Sequence, residues 1–283
     1  MAAVREKGKE KSMYRLIAFD MDGTLLRSDK TISDNCLSAI REALDAGRQV
    51  AICTGRPIAE TRPYYGILKD VRYYICECGA VIYDRMEQKV IRCHKLSPEA
   101  VRRILAVIPL EEMMPQPMIN GVSYVNAADV PRMRHFNMSV YQKLYEQVAV
   151  KADDVCRVAL ENISNIDKFN LYHTTVEGRA RTRRRLADAP VDCTYSEISS
   201  LEVSVPGVTK GSGLLDLAAK LGIAAEETIG VGDAENDVPM IRSAGLGIAM
   251  SNGFDSARNA ADVIAPDNDS DGCAWAIRRY LLG

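Results

Sequence analysis

The sequence predicts an α/β protein with a doubly wound, Rossmann-like parallel sheet and an inserted α/β cap domain. Two blocks, one at each end of the chain, alternate short apolar runs with helical periodicity, while the stretch between them carries longer helices. Alternation of this kind is typical of parallel strands joined by crossover helices. A chain of 283 residues is long enough for one large domain or two smaller ones.

The first block has the pattern of a βαβ unit. An apolar run at 14–19 predicts a buried strand that ends at Asp20. Ser33 is placed to cap a following helix, and Gly47 is placed to end it. The run at 49–53 predicts the next strand. Together they form one βαβ unit, in which a crossover helix connects two parallel strands.

The second block repeats the alternation. It is predicted to contain a strand at 201–205, a helix at 211–221, a strand at 228–231, a helix at 234–243 and strands at 246–249 and 262–264. We expect these strands to join those of the first block in one doubly wound sheet.

Between the blocks the pattern changes to long helices at 97–108 and 177–189, with a strand at 168–173. The predicted organisation is a core formed by 13–84 and 197–283, and a cap inserted at 85–196. Residues 1–12 mix Lys, Arg and Glu without an apolar segment, so we expect a disordered leader rather than a secretory signal.

Composition excludes several classes of function. The formal net charge of −2 gives no global attraction to nucleic acid or to an anionic membrane. No apolar run approaches the roughly 18 residues of a membrane span. The eight cysteines are scattered, with no pair at zinc-ligand spacing, which suits free thiols in a reducing compartment such as the cytoplasm.

A pair of carboxylates marks the end of the first strand. Asp20 and Asp22 lie in the segment DMDGT and are two residues apart, so both side chains can face the same side of an extended backbone. Gly23 allows the backbone to approach a ligand closely. Taken alone, the segment also fits an ordinary loop with two solvated acids.

Three more polar segments follow strands or begin helices of the same predicted sheet. They are CTGR at 53–56, VTKG at 208–211 and GDAEND at 232–237. Thr54, Gly55 and Arg56 offer a hydroxyl, backbone N–H groups and a guanidinium, all suited to phosphate oxygens. Lys210 lies near a helix N-terminus, which favours an anion. Taken singly, these segments also fit a turn, a solvated lysine and a helix cap.

Charge favours one joint site. If Asp20, Asp22, Asp233 and Asp237 converge to within about 4 Å, each like-charge contact costs on the order of 4 kcal/mol at an effective dielectric of 20. Lys210 alone cannot offset this repulsion. A divalent cation with oxygen ligands would, and Mg²⁺ with a substrate phosphate is the usual occupant of a sparse carboxylate site. Protonation of Asp22 would bring the site to neutrality, the state that a general acid requires.

The four segments, in this order and spacing, resemble the haloacid dehalogenase-like superfamily. The long insert between the second and third segments is similar to the cap of its Cof-type phosphatase branch. This resemblance implies that Asp20 is the nucleophile and a magnesium ligand. It implies that Asp22 protonates the leaving oxygen, then activates water, and gives its backbone carbonyl to the metal.

The resemblance also implies the remaining roles. Thr54 and Lys210 would hold the transferring phosphoryl group, Asp233 would ligate magnesium, and Asn236 and Asp237 would bind or orient the phosphoryl and metal shells. The resulting predictions are a metal site formed by Asp20, Asp22, Asp233 and Asp237, and a phosphate site formed by Thr54, Gly55, Arg56, Lys210 and Asn236.

Two residues depart from the family pattern. Cys78 stands where members often have an asparagine, which removes an amide near the expected substrate site. Ala234 replaces the middle glycine of the last segment and leaves the chemistry intact. The arginine-rich run at 179–185, together with Lys168 and Asn170, is interpreted as solvated surface. The alternative is that one or two of the arginines meet an anionic substrate or partner and that Lys168 and Asn170 reach a substrate.

The predicted function is hydrolysis of a small phosphorylated metabolite, such as a sugar phosphate, a nucleotide or flavin mononucleotide. Two alternatives are kept. A phosphosugar mutase resembling phosphomannomutase would use the same aspartate pair and return the phosphoryl group to the sugar. A phosphometabolite-binding protein without catalysis would have lost the nucleophile, the acid or the lysine, and all three are present.

Overall fold

The computed structural model describes residues 13–283; the leader predicted at 1–12 lies outside the described residues. The strands, in chain order, are β1 (Leu16–Phe19), β2 (Gln49–Cys53), β3 (Tyr73–Cys76), β4 (Val81–Asp84), β5 (Lys89–Cys93), β6 (Met113–Ile119), β7 (Val122–Asn126), β8 (Val150–Ala152), β9 (Ile166–His173), β10 (Asp192–Thr194), β11 (Ser200–Ser204), β12 (Thr228–Gly232), β13 (Leu246–Met250) and β14 (Val263–Ala265).

The α-helices connect these strands. In chain order they are α1 (Asp34–Asp45), α2 (Ile58–Thr61), α3 (Pro98–Val107), α4 (Gln142–Val148), α5 (Val155–Glu161), α6 (Val176–Arg185), α7 (Lys210–Lys220), α8 (Val238–Ser243), α9 (Asp255–Arg258) and α10 (Gly272–Ala276). Ser33 caps α1 as predicted, because its side chain accepts a hydrogen bond from the backbone N–H of Cys36.

The larger sheet has the strand order β14-β13-β12-β1-β2-β3-β4-β5. Its strands from β14 to β3 are parallel, and β4 and β5 extend it in antiparallel pairing. The strand order runs outward in both directions from β1, which is the doubly wound arrangement that the sequence predicts. The carboxyl ends of β1, β2 and β12 therefore share one edge of the sheet.

The smaller sheet has the order β10-β11-β9-β6-β7-β8 and belongs to the inserted part of the chain. Its strand β11 corrects the prediction that 201–205 joins the core, since Ser200–Ser204 pairs antiparallel with β9 and β10. Polar and apolar residues alternate along β11, which fits an antiparallel strand, but this pattern does not specify the strands with which it pairs.

The edge strand β5 also lies on the other side of the predicted boundary, because it pairs with β4 of the larger sheet. We therefore propose that the cap begins after residue 93 and ends after residue 204, instead of spanning 85–196. One helix start is corrected as well. The helix predicted from 234 begins at Val238, where Pro239 occupies the first turn, the position that tolerates a missing N–H.

Apolar side chains cover both faces of the larger sheet. One group packs against α1 and α10 and includes Phe19, Ile52 and Val231, while the opposite group packs against α7 and includes Ala51 and Leu214. The cap sheet likewise has apolar clusters on its two faces. Packed cores of this kind hold strand ends rigidly, so the polar residues that follow β1, β2 and β12 are fixed in place.

Candidate active site

Three carboxylates meet at the edge where β1 and β12 end. Asp20 follows β1, Asp233 follows β12, and Asp237 lies four residues further on. One ligand oxygen from each lies within 4.8 Å of the others. Two hydrogen bonds fix the orientation of the Asp237 carboxylate, since its Oδ2 accepts from the backbone N–H groups of Asp233 (3.0 Å) and Ala234 (2.9 Å). Neighbouring parallel strands thus bring residues more than 200 positions apart into one cluster.

Lys210 is the cation of this cluster. Its Nζ lies 2.6 Å from Asp20 Oδ1 and 2.6 Å from Asp237 Oδ1, and the side chain is 1% exposed. The lysine is the first residue of α7, and Thr209 caps that helix by accepting from the N–H of Ser212. The helix start therefore fixes the position from which Lys210 reaches two carboxylates, as the sequence predicts for an anion-binding helix end.

The turn after Asp20 positions Asp233. Thr24 Oγ1 donates to Asp233 Oδ1 at 2.8 Å. Gly23 has a positive φ of 82°, and a Cβ added there would lie 2.5 Å from Asp233 Oδ2. The glycine is required by both the backbone conformation and the close approach of the carboxylate.

The cluster fits a divalent cation. Burial, opposed by Lys210 and reinforced by the Asp237 and Asp233 carboxylates, raises the pKa of Asp20 well above its usual value. Burial and the Asp237 carboxylate raise the pKa of Asp233 to about 7. Burial is the largest cause of both pKa shifts, and the neighbouring carboxylates add to it. Carboxylate oxygens are the ligands that hard divalent cations prefer.

Asp22 is held apart from these three carboxylates. Its Oδ2 lies 2.7 Å from Arg56 Nε, and its Oδ1 lies 2.7 Å from Arg56 Nη2 and 2.8 Å from Lys30 Nζ. Burial alone would raise the pKa of Asp22, but Arg56 and Lys30 together hold it well below its usual value. The predicted convergence of four carboxylates therefore does not include this side chain, and the arrangement stabilises its ionised form rather than the protonated one.

The segment after β2 contributes Thr54, Gly55 and Arg56 to the same edge. Thr54 is 1% exposed, and its Oγ1 accepts the backbone N–H of Arg56 at 3.2 Å. A Cβ on Gly55 would lie 2.5 Å from Glu202 Oε1, so a glycine is needed where the cap meets the core. These three of the five residues predicted to bind phosphate thus lie together beside Asp22, and they line a common cavity with Asp20.

A buried ion pair joins the cap to this edge. Lys168 Nζ on β9 lies 2.7 Å from Glu202 Oε1 on β11 and 3.2 Å from the backbone oxygen of Gly55. Asn236 Nδ2 and the Cys78 thiol both donate to Glu202 Oε2, at 2.8 and 3.0 Å. The interpretation of Lys168 as solvated surface is wrong, because the side chain is fully buried.

The cavity between cap and core has a volume of about 70 Å³. From the core it is lined by Asp20, Asp22, Thr54, Gly55, Arg56, Glu60, Ala234 and Asn236, and from the cap by Met138, Tyr141, Tyr145, Asn170, Tyr172, Ser196, Glu197 and Glu202. Asn170 is 6% exposed, so its interpretation as solvated surface is also wrong. This volume is about half of the ~150 Å³ that accommodates benzene, so the cavity as it stands is too small for a phosphorylated metabolite.

The arginine-rich helix α6 is only partly solvated. Arg179 and Arg183 lie against the Tyr195 ring, 3.8 and 4.4 Å from its centroid. Arg183 also pairs with Glu235 of the core at 3.2 Å. This second cap-to-core contact ends beside the carboxylate cluster, since Glu235 lies between Asp233 and Asp237 in sequence.

The family model for haloacid dehalogenase-like hydrolases matches residues 17–277. The chain belongs to this family. The membership predicted from the four segments is thus confirmed, and so is the doubly wound core with its inserted cap. Within the described residues, no helix combines the length and apolar character that a membrane span needs.

Several curated relatives are phosphatases. The 5-amino-6-(5-phospho-D-ribitylamino)uracil phosphatase YcsE of Bacillus subtilis is 30% identical over 95% of this chain and 96% of its own length. The pyridoxal phosphate phosphatase YbhA of Escherichia coli is 26% identical over 95% of this chain and 99% of its own length. The chain is also 30% identical to the chloroplastic endoribonuclease YBEY of Arabidopsis thaliana, and it spans 47% of that protein's length.

A solved structure of a haloacid dehalogenase-like hydrolase from B. subtilis superposes with a TM-score of 0.82 at 25% identity. The match covers 93% of this chain and 99% of that one. The cap and the core are therefore both part of the shared fold.

The sequence does not predict several residues outside the four segments that contact the motif residues or line the cavity with them. Lys30 pairs with Asp22 from only eight positions away, so its nearness in sequence was an available signal. Glu60, Glu197 and Glu202 line the cavity from a short helix and from the cap, where no motif identifies them. Their placement depends on strand pairing, which the sequence pattern does not specify.

Replacing Lys168 with methionine should lower the free energy of unfolding by about 3–5 kcal/mol, because the change leaves the Glu202 carboxylate buried and uncompensated. Urea unfolding would measure the loss, with exposed Lys143 changed to methionine as the matched control. Adding Glu202→Gln should restore part of the stability. If Lys168→Met lost no more unfolding free energy than Lys143→Met, this would contradict a buried ion pair between Lys168 and Glu202.

The same pair gives a pH dependence with a defined sign. Burial alone would raise the pKa of Glu202, but Lys168 lowers it to about 2. A lowered carboxyl pKa contributes stability above the unfolded value and loses it as the pH falls towards the folded one. The stability difference between wild type and Lys168→Met should therefore be largest above about pH 5 and shrink as the pH falls from about 5 towards 2.

Proposed function

We propose that the chain is a Mg²⁺-dependent phosphatase that hydrolyses a small phosphorylated metabolite through an aspartyl-phosphate on Asp20. The single observation that carries the proposal is the position of Lys210, which holds Asp20 at the centre of a buried carboxylate cluster. A carboxylate fixed beside an ammonium group is oriented for attack, and the same ammonium group can neutralise charge on a phosphoryl oxygen.

The first step transfers the phosphoryl group to the protein. An Asp20 oxygen attacks phosphorus and forms a P–O bond, while the bond between phosphorus and the leaving oxygen breaks. Asp22 takes up a proton from solvent as substrate binds and gives that proton to the leaving oxygen, which departs as an alcohol. The incoming phosphoryl oxygens compete with Asp22 for Arg56, so substrate entry weakens the ion pair that holds Asp22 ionised.

The second step releases phosphate. Asp22 takes a proton from a water molecule, the water oxygen attacks phosphorus, and the bond to Asp20 breaks. Lys210, Thr54 and Asn236 line the path of the phosphoryl group and stabilise its oxygens. Mg²⁺, held by Asp20, Asp233 and Asp237 with the backbone carbonyl of Asp22, would supply positive charge against the phosphoryl oxygens.

The relatives' names support a small phosphorylated metabolite as the partner. The carboxylates around the cavity disfavour nucleic acid, which carries a negative charge at every phosphate. The cysteines of the described residues are free thiols, which supports the proposed cytoplasmic location.

The decisive experiment measures phosphate release from phenyl phosphate and from hexose phosphates. We expect release that requires added Mg²⁺ and that EDTA abolishes, because EDTA removes the cation from the carboxylate cluster. Activity that survives EDTA would contradict the metal assignment.

The two alternatives give different results in the same assay. A mutase would need a bisphosphate cofactor and release no free phosphate from hexose phosphates. A protein that only binds would release none from any substrate.

A further inference from the structure

A polar network in the cap fixes the orientation of the amide group of Asn170, a residue that lines the cavity. The Asn170 amide nitrogen donates to Gln116 Oε1 at 2.9 Å and to the Tyr172 hydroxyl at 2.8 Å. Both amide hydrogens are thereby used. The remaining Oδ1 is buried without a hydrogen-bond partner, and the residue lines the cavity. Asn170 therefore presents an acceptor.

The orientation of Asn170 depends on two residues behind it. Gln116 Nε2 donates to Glu60 Oε1 at 2.8 Å and to Ser123 Oγ at 2.7 Å. Ser123 also donates to Glu60, so that carboxyl group accepts from both neighbours. Because the amide nitrogen of Gln116 must face Glu60, its oxygen faces Asn170 and Tyr172. The hydrogen bonds of this network therefore all run in a defined direction, from donor to acceptor, and leave Asn170 Oδ1 as an acceptor without a partner.

The rest of the cap-facing wall is also rich in acceptors. Glu197 lines the cavity and accepts the Tyr141 hydroxyl at 2.5 Å, and Glu60 and Glu202 add two more carboxyl groups. Of the lining side chains in the part of the chain that the structure describes, only Arg56 is cationic, and Asp22 already binds it with two hydrogen bonds. Because Glu202 is already paired with Lys168, an anionic group at this wall would meet the carboxyl groups of Glu60 and Glu197 and, among the lining side chains of the described residues, no free cation.

We infer that this wall selects the leaving group: it accepts neutral or cationic alcohols that present an O–H or N–H donor to Asn170 Oδ1, and it excludes leaving groups that carry a carboxylate or a second phosphate. The substrate class is then a compact polyol or amino-alcohol monophosphate. Tyr141, Tyr145 and Tyr172 supply ring surfaces for its carbon atoms. This inference rests on the proposed phosphatase function.

Wild-type protein tests the inference with matched substrates. Glycerol 3-phosphate and 3-phosphoglycerate differ only in a terminal alcohol or carboxylate, as do sorbitol 6-phosphate and 6-phosphogluconate. We expect kcat/KM to be at least about tenfold higher for the alcohol of at least one pair and in neither pair higher for the carboxylate. Equal or faster hydrolysis of the carboxylates would overturn the inference.

The variant Asn170→Ala tests the acceptor itself. It should lower the ratio of kcat/KM for the preferred polyol phosphate to kcat/KM for phenyl phosphate by about tenfold, since the substrate donor would lose its partner. Asn162→Ala, the same change on the cap at a residue that caps α5 instead of lining the cavity, should leave this ratio as in wild type. A uniform loss on both substrates in Asn170→Ala would indicate a structural role and would contradict the inference.

The two proposals fail in different ways. If wild-type protein releases no phosphate from phenyl phosphate or from any polyol phosphate, the phosphatase function itself is wrong. If it hydrolyses phenyl phosphate without discriminating within the matched pairs, only the leaving-group inference is wrong.

Discussion

Asp20→Asn should reduce kcat for phosphate release by at least about a thousandfold, because an amide cannot form the acyl phosphate. The protein should stay folded. The neutral side chain removes one of three mutually repelling buried carboxylates, and Lys210 keeps its contact with Asp237. Phosphate release in excess Mg²⁺, together with a melting curve, would measure both effects.

The matched control for this change is Asp153→Asn, on an exposed cap residue. It should leave kcat and the melting temperature close to those of wild type. If Asp20→Asn kept more than about a tenth of the activity, another nucleophile or direct attack by water would have to replace Asp20.

Lys210→Met should have the second largest effect, and it should act on both activity and stability. Removing the ammonium group leaves Asp20 and Asp237 buried without a cation, which costs about 3–5 kcal/mol. The loss of its charge from the phosphoryl site should lower kcat/KM by about a hundredfold or more. Urea unfolding and phosphate release would be measured side by side.

The control for Lys210→Met lies in the same helix, since Lys220 is exposed at the end of α7. Lys220→Met should behave like wild type. Mg²⁺ should raise the melting temperature of Lys210→Met more than that of wild type, because the added cation compensates the missing ammonium group. If Mg²⁺ raised the melting temperatures of the two proteins by the same amount, this would contradict the view that Mg²⁺ and Lys210 neutralise the same carboxylates.

The core of the site could be predicted because its geometry follows from parallel strands. Asp20 and Asp233 each follow a short apolar run, and the carboxyl ends of neighbouring parallel strands always meet at one edge. The position of Lys210 followed from the start of a helix with a recognisable cap. These local signals survive in the sequence because each involves residues close to one another along the chain.

The protonation state of Asp22 could not be predicted in the same way. Four carboxylates are predicted to converge in one group, but Arg56 and Lys30 bind Asp22 apart from the other three. Arg56 belongs to a segment that the sequence predicts to bind phosphate, and nothing in the sequence shows that its guanidinium binds the Asp22 carboxylate. Side-chain pairing across 34 residues depends on packing that the pattern leaves open.

The cap was the least predictable part. Lys168 and Asn170 alternate with apolar residues on β9, a pattern that indicates a half-solvated strand. Both are buried because β9 lies inside the cap sheet with its polar face turned towards the core. The sequence predicts that β11 joins the core sheet, whereas it pairs with β9 of the cap sheet. For this reason the sequence does not predict that Glu202 of β11 lies next to Lys168 of β9, or that the two form a buried ion pair.

The central claim is that Asp20 carries the phosphoryl group. Borohydride reduces an acyl phosphate to an alcohol, so an enzyme quenched during turnover and reduced should contain homoserine in place of Asp20, which peptide mass spectrometry can locate. We expect homoserine at position 20, only in samples that received substrate. Homoserine at another aspartate, or none at all in an enzyme that is releasing phosphate, would contradict the account.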